Sequence, residues 1–232
     1  MAIKAVLFDA YGTLLDIASA TNRLVETQRY PELSEKAAAL TEIWRTRQLH
    51  YSWLRSLMGE YQPFWQLTQD GLDFALQATN LAGNQELRAD LLGLYRQIEA
   101  YEDGQHILEM MTAHNMPCGI LSNGNQDMLD EAVRNASLTP YLDKVLSVES
   151  LKIFKPAPQI YQFGCDSFGL KADEILFFSS NGWDIGGAAV FGYQTIWVNR
   201  AGQPQEILPK APDHEVKSLT EAADIAWEIC GF

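Results

Sequence analysis

The strongest constraint on the fold is a short apolar run, Ala5-Val6-Leu7-Phe8, that stops at the carboxylate of Asp9 and leads into Ala10-Tyr11-Gly12-Thr13-Leu14. Consecutive apolar residues rich in β-formers, bounded by Asp and Gly, predict a buried strand that empties into a tight loop. In open α/β sheets the chemistry sits just beyond the carboxyl ends of such strands. Taken alone, Asp9 reads first as a residue that ends a strand and makes a turn. The rest of the chain shifts that balance.

Further strand-like runs occur at Pro117–Leu121, Val145–Val148, Ile175–Phe178 and Thr195–Val198, and the first spans Ile3–Phe8. Helical patterns lie between or after them at Gly104–Asn115, Gln126–Ala136, Ala157–Phe168 and Asp184–Phe191. That alternation predicts a doubly wound parallel sheet, a Rossmann-like α/β core with right-handed crossovers. The stretch from Leu15 to Tyr101 breaks the rhythm: it holds helical patterns at Glu35–Met58, Phe64–Leu81 and Glu86–Ala100 and no strand. One crossover helix cannot absorb such a length. Residues 1–14 and 102–232 are therefore expected to form the core domain, with 15–101 an inserted helical bundle that caps the strand ends. After Asn199 a loop with Gly202, Pro204, Pro209 and Pro212 precedes a last helix near Leu219–Ile229.

A chain of 232 residues can bury a full core plus such an insertion. The formal charge of −13 argues against nucleic acid and anionic membrane surfaces as partners. An anionic small molecule is disfavoured only at long range, because screening beyond about 8 Å leaves the local pocket charge in control. Cys118, Cys165 and Cys230 are dispersed, an odd set that reads as buried apolar residues in a reducing compartment. The N-terminus enters a strand with Lys4 as its only charge, so no signal peptide is visible, and no apolar run approaches the roughly 18 residues of a membrane span. The expected location is the cytoplasm.

Asp9-Ala10-Tyr11-Gly12-Thr13 fits the pattern Asp-x-x-x-Thr, and Leu121-Ser122-Asn123, Lys155-Pro156 and Ser179-Ser180-Asn181-Gly182-Trp183-Asp184 follow it in order, after strands or at helix starts. This set resembles the haloacid dehalogenase superfamily over nearly the whole chain. The resemblance implies that Asp9 is a nucleophile, and a carboxylate gains reactivity when a few fixed groups replace its hydration shell. Gly12 permits the tight turn that lets amides of Ala10 and Tyr11 face the site, and Thr13 is placed to hold an Asp9 oxygen. Superfamily phosphatases commonly carry Asp two residues after the nucleophile, to protonate the leaving oxygen. Tyr11 stands there instead, and a phenol with a pKa near 10 is a poor acid at neutral pH. A halide departs without a proton.

The segment Ser179–Asp184 points the same way, because phosphatase relatives place acidic residues there for Mg²⁺, which prefers hard oxygen ligands. Hydroxyls of Ser179 and Ser180, the Asn181 amide and one Asp184 make a poor metal site, so no cofactor is expected. The pattern resembles the Ser-x-Asn-x-x-Asp variant of the L-2-haloacid dehalogenase branch, in which Asp184 would position or activate water. Its plainer reading is a helix N-cap. Ser122 and Asn123, before a helix, could bind a carboxylate or simply cap. Lys155, before a Pro that suits a helix start, matches the superfamily lysine that lets Asp9 and Asp184 stay ionised together, and Tyr161 falls where the family places a tyrosine near it.

Within the insertion, Trp44–Leu49 and Tyr51–Met58 closely resemble the same branch, and Arg45 matches the arginine that helps bind the departing halide. From periodicity alone Arg45 is a solvated helix-face residue. Most aromatics there read as bundle core, with Leu49, Phe64 and Trp183 candidates for the apolar pocket wall. The resemblance thus implies hydrolytic dehalogenation of short L-2-haloacids through an aspartyl ester, with a halogenated carboxylate as the small-molecule partner and a homodimer as assembly. The competing readings are a phosphatase of the same fold and a non-catalytic binding relative.

Overall fold

The computed structural model describes residues 2–232. The strands β1 (Ala5–Phe8), β2 (Cys118–Ser122), β3 (Lys144–Ser147), β4 (Ile175–Ser179), β5 (Gln194–Val198) and β6 (His214–Val216) form one sheet in the order β3-β2-β1-β4-β5-β6. Every pairing is parallel. β1 lies at the centre, with Phe8 opposite Ile120 of β2 and Phe178 of β4. Buried on both faces, β1, β2 and β4 have no polar residue before their last positions, which is why they read as continuous apolar runs. The connection reverses direction at β1, between β2 and β4, and open sheets bind their ligands at such a switch point.

The helices are α1 (Ala18–Glu26), α2 (Pro31–Ser34), α3 (Ala37–Met58), α4 (Phe64–Ala78), α5 (Gln85–Tyr95), α6 (Glu102–Ala113), α7 (Gln126–Asn135), α8 (Pro158–Phe168), α9 (Gly182–Phe191) and α10 (Leu219–Cys230). α1 to α5 occupy the long gap between β1 and β2, while α6 packs on β2 and α10. α3 and α4 pack closely because Gly71 admits the α3 backbone: a Cβ there would lie 3.1 Å from Gln48 N and 3.2 Å from Trp44 O. The segments entering and leaving this helical region run side by side. Asp16 N donates to Glu99 O (2.8 Å), Tyr101 N donates to Leu14 O (2.9 Å), and Leu15 bridges Ala100.

Three features depart from the sequence expectations. The loop after Asn199 contains β6, a three-residue edge strand with two exposed positions that carries too little apolar signal to be read. α8 begins at Pro158 with Ala157 as its N-cap, so Pro156 lies before the helix and does not start it. α9 begins at Gly182 with Asn181 as N-cap, which places Asp184 inside the first turn and removes its N-cap reading. Among the described residues no helix is long and apolar enough to cross a membrane.

Candidate active site

The three central strands deliver their last side chains to one place. Asp9 follows β1, Ser122 ends β2, and Ser179-Ser180-Asn181 closes β4. Asp9 N donates to Phe178 O (2.8 Å), so sheet pairing continues one residue past β1 and fixes the carboxylate's direction. Gly12 then turns the chain at φ 91°, a conformation that disfavours other residues, and a Cβ there would meet Ser180 Oγ at 2.9 Å.

Each Asp9 oxygen has assigned partners. Thr13 Oγ1 donates to Oδ2 (3.1 Å), Asn181 Nδ2 donates to Oδ2 (2.9 Å), and Lys155 Nζ donates to Oδ1 (3.2 Å). Ser180 N donates to Thr13 Oγ1 (2.8 Å), which leaves the threonine proton for Asp9. The Ala10 and Tyr11 amides are buried and donate to no other group among the described residues. Buried amides are rarely left without an acceptor, so these two are free for a ligand.

Lys155 is wholly buried and bridges two carboxylates, with Asp184 Oδ2 at 2.7 Å. Asn123 Oδ1 holds the Lys155 amide (2.9 Å), and Trp53 Nε1 donates to the Lys155 carbonyl (3.1 Å), so core and helical region both position this residue. Burial alone would depress the ammonium's pKa; the charges of Asp184 and Asp9 outweigh it and hold Lys155 protonated. Burial, reinforced by the nearby Asp9 charge and offset by Lys155, pushes the Asp184 carboxyl up to about 6. Tyr161 shares the Asp184 carboxylate with the lysine. Its hydroxyl donates to Asp184 Oδ1 (2.8 Å) from a fully buried position, so it backs Asp184 and presents no surface to a substrate.

Arg45 leaves the solvated face that periodicity suggested. It crosses from α3 to the core, where Nη2 contacts Tyr11 O and Asn181 Oδ1, both at 3.2 Å. The guanidinium is thereby one side chain removed from Asp9. Ser122 Oγ accepts from Gly124 N (3.2 Å) and keeps its own proton to donate. Ser179 does not touch Asp9; its hydroxyl accepts from Asn181 N (3.1 Å) and shapes the loop that aims Asn181. Phe64 lies beside Tyr11, ring centroids 6.4 Å apart, and Leu49 is buried one helical turn beyond Arg45. Trp183 meets Trp53 edge-on at 5.3 Å, and both line an apolar hollow of about 490 Å³ that includes Lys155 and Leu208.

Sequence reasoning missed the residues behind Arg45. Gln48 Oε1 accepts from Arg45 Nη1 (3.3 Å), while Gln48 Nε2 donates to Thr68 Oγ1 (2.7 Å) and Tyr95 OH (3.0 Å). Gln48 sits three residues after Arg45, a helical spacing that could have flagged it. Thr68 and Tyr95 carry no local signal. Tyr11 is buried too, and burial raises its phenol well above the usual value. Such a group does not protonate a leaving oxygen at neutral pH.

This architecture and its strand-end carboxylates define a hydrolase class, and residues 3–192 match the family described as haloacid dehalogenase-like hydrolase. The chain belongs to that family and, within it, to the L-2-haloacid dehalogenase branch. It is 44% identical over 219 residues to (S)-2-haloacid dehalogenase 4A of Burkholderia cepacia, covering 94% of this chain and 93% of that protein. A crystal structure of a dehalogenase with intermediate complex superposes with a TM-score of 0.91 at 42% identity, covering 97% of both chains. The L-2-haloacid dehalogenase from Xanthobacter autotrophicus with chloropropionic acid covalently bound superposes at 0.86 with 34% identity, covering 97% of this chain and 98% of that one.

Proposed function

We propose that this chain is an (S)-2-haloacid dehalogenase, a hydrolase that converts short L-2-haloacids to 2-hydroxy acids and halide. The observation that carries this reading is Lys155 shared between Asp9, which keeps a path to the site, and the wholly enclosed Asp184. Asp9 attacks C2 from the face opposite the halogen, forming an ester as the carbon–halogen bond breaks. The substrate carboxylate accepts from Ser122 and from the free Ala10 and Tyr11 amides, and Arg45 with Asn123 receives the halide. Water then attacks the ester carbonyl carbon, Asp184 takes its proton, and a hydroxy acid of inverted configuration leaves. Residues 15–101 act as the cap that excludes bulk water during displacement, hinged on the paired segments around Leu15 and Ala100.

The Lys155 ammonium is the cation between the carboxylates, and Ser179, Ser180 and Asn181 add no negative ligand, so the reaction runs without a divalent ion. The testing experiment is halide release from chloro-, bromo- and fluoroacetate and 2-chloropropionate in excess EDTA. Full turnover is expected; turnover that EDTA abolishes and Mg²⁺ restores, or phosphate release without halide release, would sink the reading. In the second step Asp184 must be ionised to accept a proton. With its carboxyl raised to about 6 by burial and by the Asp9 charge, kcat should fall as pH drops through about 6. A pH–rate profile flat from 8 to 4.5 would remove that role.

The three free cysteines support a reducing compartment, which we take to be the cytoplasm. Exposed Leu54, Leu57 and Met58 at the end of α3, with Ile207 and Leu208 beside the Trp53–Trp183 hollow, support a homodimer. Light scattering should return two chain masses, and Leu57→Glu should return one; a wild-type monomer would end the dimer proposal.

A further inference from the structure

A small cavity beside Arg45 is lined by the polar side chains Thr21, Thr41, Arg45, Gln48 and Tyr95, with Trp44 as an apolar wall. Its free volume of about 10 Å³ is the space one water-sized particle needs. Its hydrogen bonding is lopsided. The Tyr95 hydroxyl accepts from Gln48 Nε2, yet its own proton meets no acceptor among the described residues, although the residue is buried. Burial also raises the Tyr95 phenol, so that proton stays in place. Thr41 Oγ1 donates to Thr21 Oγ1 (3.0 Å), which leaves the proton of buried Thr21 unspent. Contacts to Gln48, Tyr11, Asn181 and the Tyr95 hydroxyl leave one of the five N–H bonds of Arg45 free.

The side-chain amide of Gln48 has only one workable orientation. Thr68 gives its proton to Phe64 O (2.9 Å), so it accepts from Gln48 Nε2 and turns Oε1 toward Arg45. That acceptor is thus already engaged. No carboxylate lines the cavity, and neither does Asp9. What remains is a cation and a set of unspent donors around a single-particle space, an arrangement complementary to a small anion.

We propose that this cavity is a halide site on the release path. Resting on the dehalogenase reading above, it takes the halide from Arg45 after displacement and holds it on Arg45, Tyr95 OH and the Thr21–Thr41 pair. The exit is an adjoining open cavity of about 700 Å³ that shares Ile17, Thr41 and Arg45 with it. Asp16 and Glu42 line that outer space, so the anion meets negative charge once it leaves and does not accumulate there. The site therefore sets how strongly product halide inhibits the enzyme.

The probe is chloride alone. Crystals of the full chain soaked in sodium chloride, measured at long wavelength, should show an anomalous peak within hydrogen-bond distance of Tyr95 OH and Arg45. Water only in the cavity, or chloride only beside Asp9, would overturn the proposal. Thr21→Val, close to isosteric, should raise the inhibition constant for chloride about tenfold, as expected for losing a donor to a charged ligand, while Thr21→Ser should keep it near wild type. Tyr95→Phe should act as Thr21→Val does. Unchanged chloride inhibition in both would also overturn the proposal. Chloride binding is read without turnover, so the two readings fail separately. A protein that binds chloride here but releases no halide refutes dehalogenation and leaves the anion site; one that dehalogenates with an empty cavity does the reverse.

Discussion

Asp9→Asn should lose halide release by at least about 10⁴-fold in kcat while folding normally, because a neutral amide is a far weaker nucleophile at C2 and a nucleophile's loss is not made up by its neighbours. Thr13 Oγ1 and Asn181 Nδ2 both donate to Oδ2 and can still donate to an amide oxygen placed there, while Lys155 gives up its Oδ1 contact and keeps Asp184, so the packing around residue 9 changes little. The covalent step has its own signature. In a single turnover in H₂¹⁸O with enzyme in excess, solvent oxygen should enter the carboxylate of Asp9, and the hydroxy acid should leave with the aspartate's original oxygen. Peptide mass analysis reads this directly. Label in the product and none in the Asp9 peptide would mean that water attacks C2 itself, with Asp9 as a general base.

Lys155→Met should have the second-largest effect, and on two observables. The side chain is wholly buried between Asp9 and Asp184, and removing one partner of a buried charge cluster costs roughly 3–5 kcal/mol at neutral pH. Without the cation the repulsion between the two carboxylates is no longer offset and the nucleophile loses its ammonium partner, so turnover collapses, by about 10³-fold or more. The stability loss has a definite pH sign. Lys155 lowers the folded-state pKa of Asp184, so removing it raises that pKa further above its present value of about 6. A carboxyl raised on folding adds stability below its unfolded pKa and loses it as pH climbs through the folded value. The gap in melting temperature between Lys155→Met and wild type should therefore be widest near pH 8 and narrow toward pH 5. A gap that widens on acidification, or a variant with unchanged kinetics, would show that Lys155 does not offset the charges of the two carboxylates.

The same cluster links the fold to the chemistry. Asp9, Ser122 and Asn181 lie within a few residues of three adjacent strand ends, and the sheet brings them together because β1 pairs with both β2 and β4. Lys155 arrives from a loop and is locked by Asn123 and Trp53, one from the core and one from α3. On the cap role proposed above, closure and the positioning of Lys155 are coupled: moving α3 away from the core gives up the Trp53 bond and the Arg45 contacts to Tyr11 O and Asn181 together.

What the sequence by itself determined is local and periodic. The strands β1, β2 and β4 were legible because buried parallel strands are continuous apolar runs, β3 and β5 from shorter apolar stretches, and the helical stretch between β1 and β2 because its length excludes a single crossover. That Asp9, Thr13, Lys155 and Asp184 would meet was legible because their motifs lie at strand ends or helix starts, where residue order alone implies position. Only the tertiary structure decided the rest. Periodicity alone made Arg45 a solvated helix residue and only the resemblance put it at the site; its contact with Asn181, 136 positions away in the chain, comes from how α3 crosses the core. That Tyr161 meets Lys155 through Asp184, and that the Ser179 hydroxyl braces the loop behind Asn181, could not be read from the motifs, because a side chain's partner depends on packing between elements. The Gln48–Thr68–Tyr95 network spans three helices and leaves no periodic trace beyond the spacing of Gln48 from Arg45, and β6 is too short and too polar to leave one. Contacts between residues far apart in sequence are settled by how helices and sheet pack, and a pattern read along one chain carries no record of that packing.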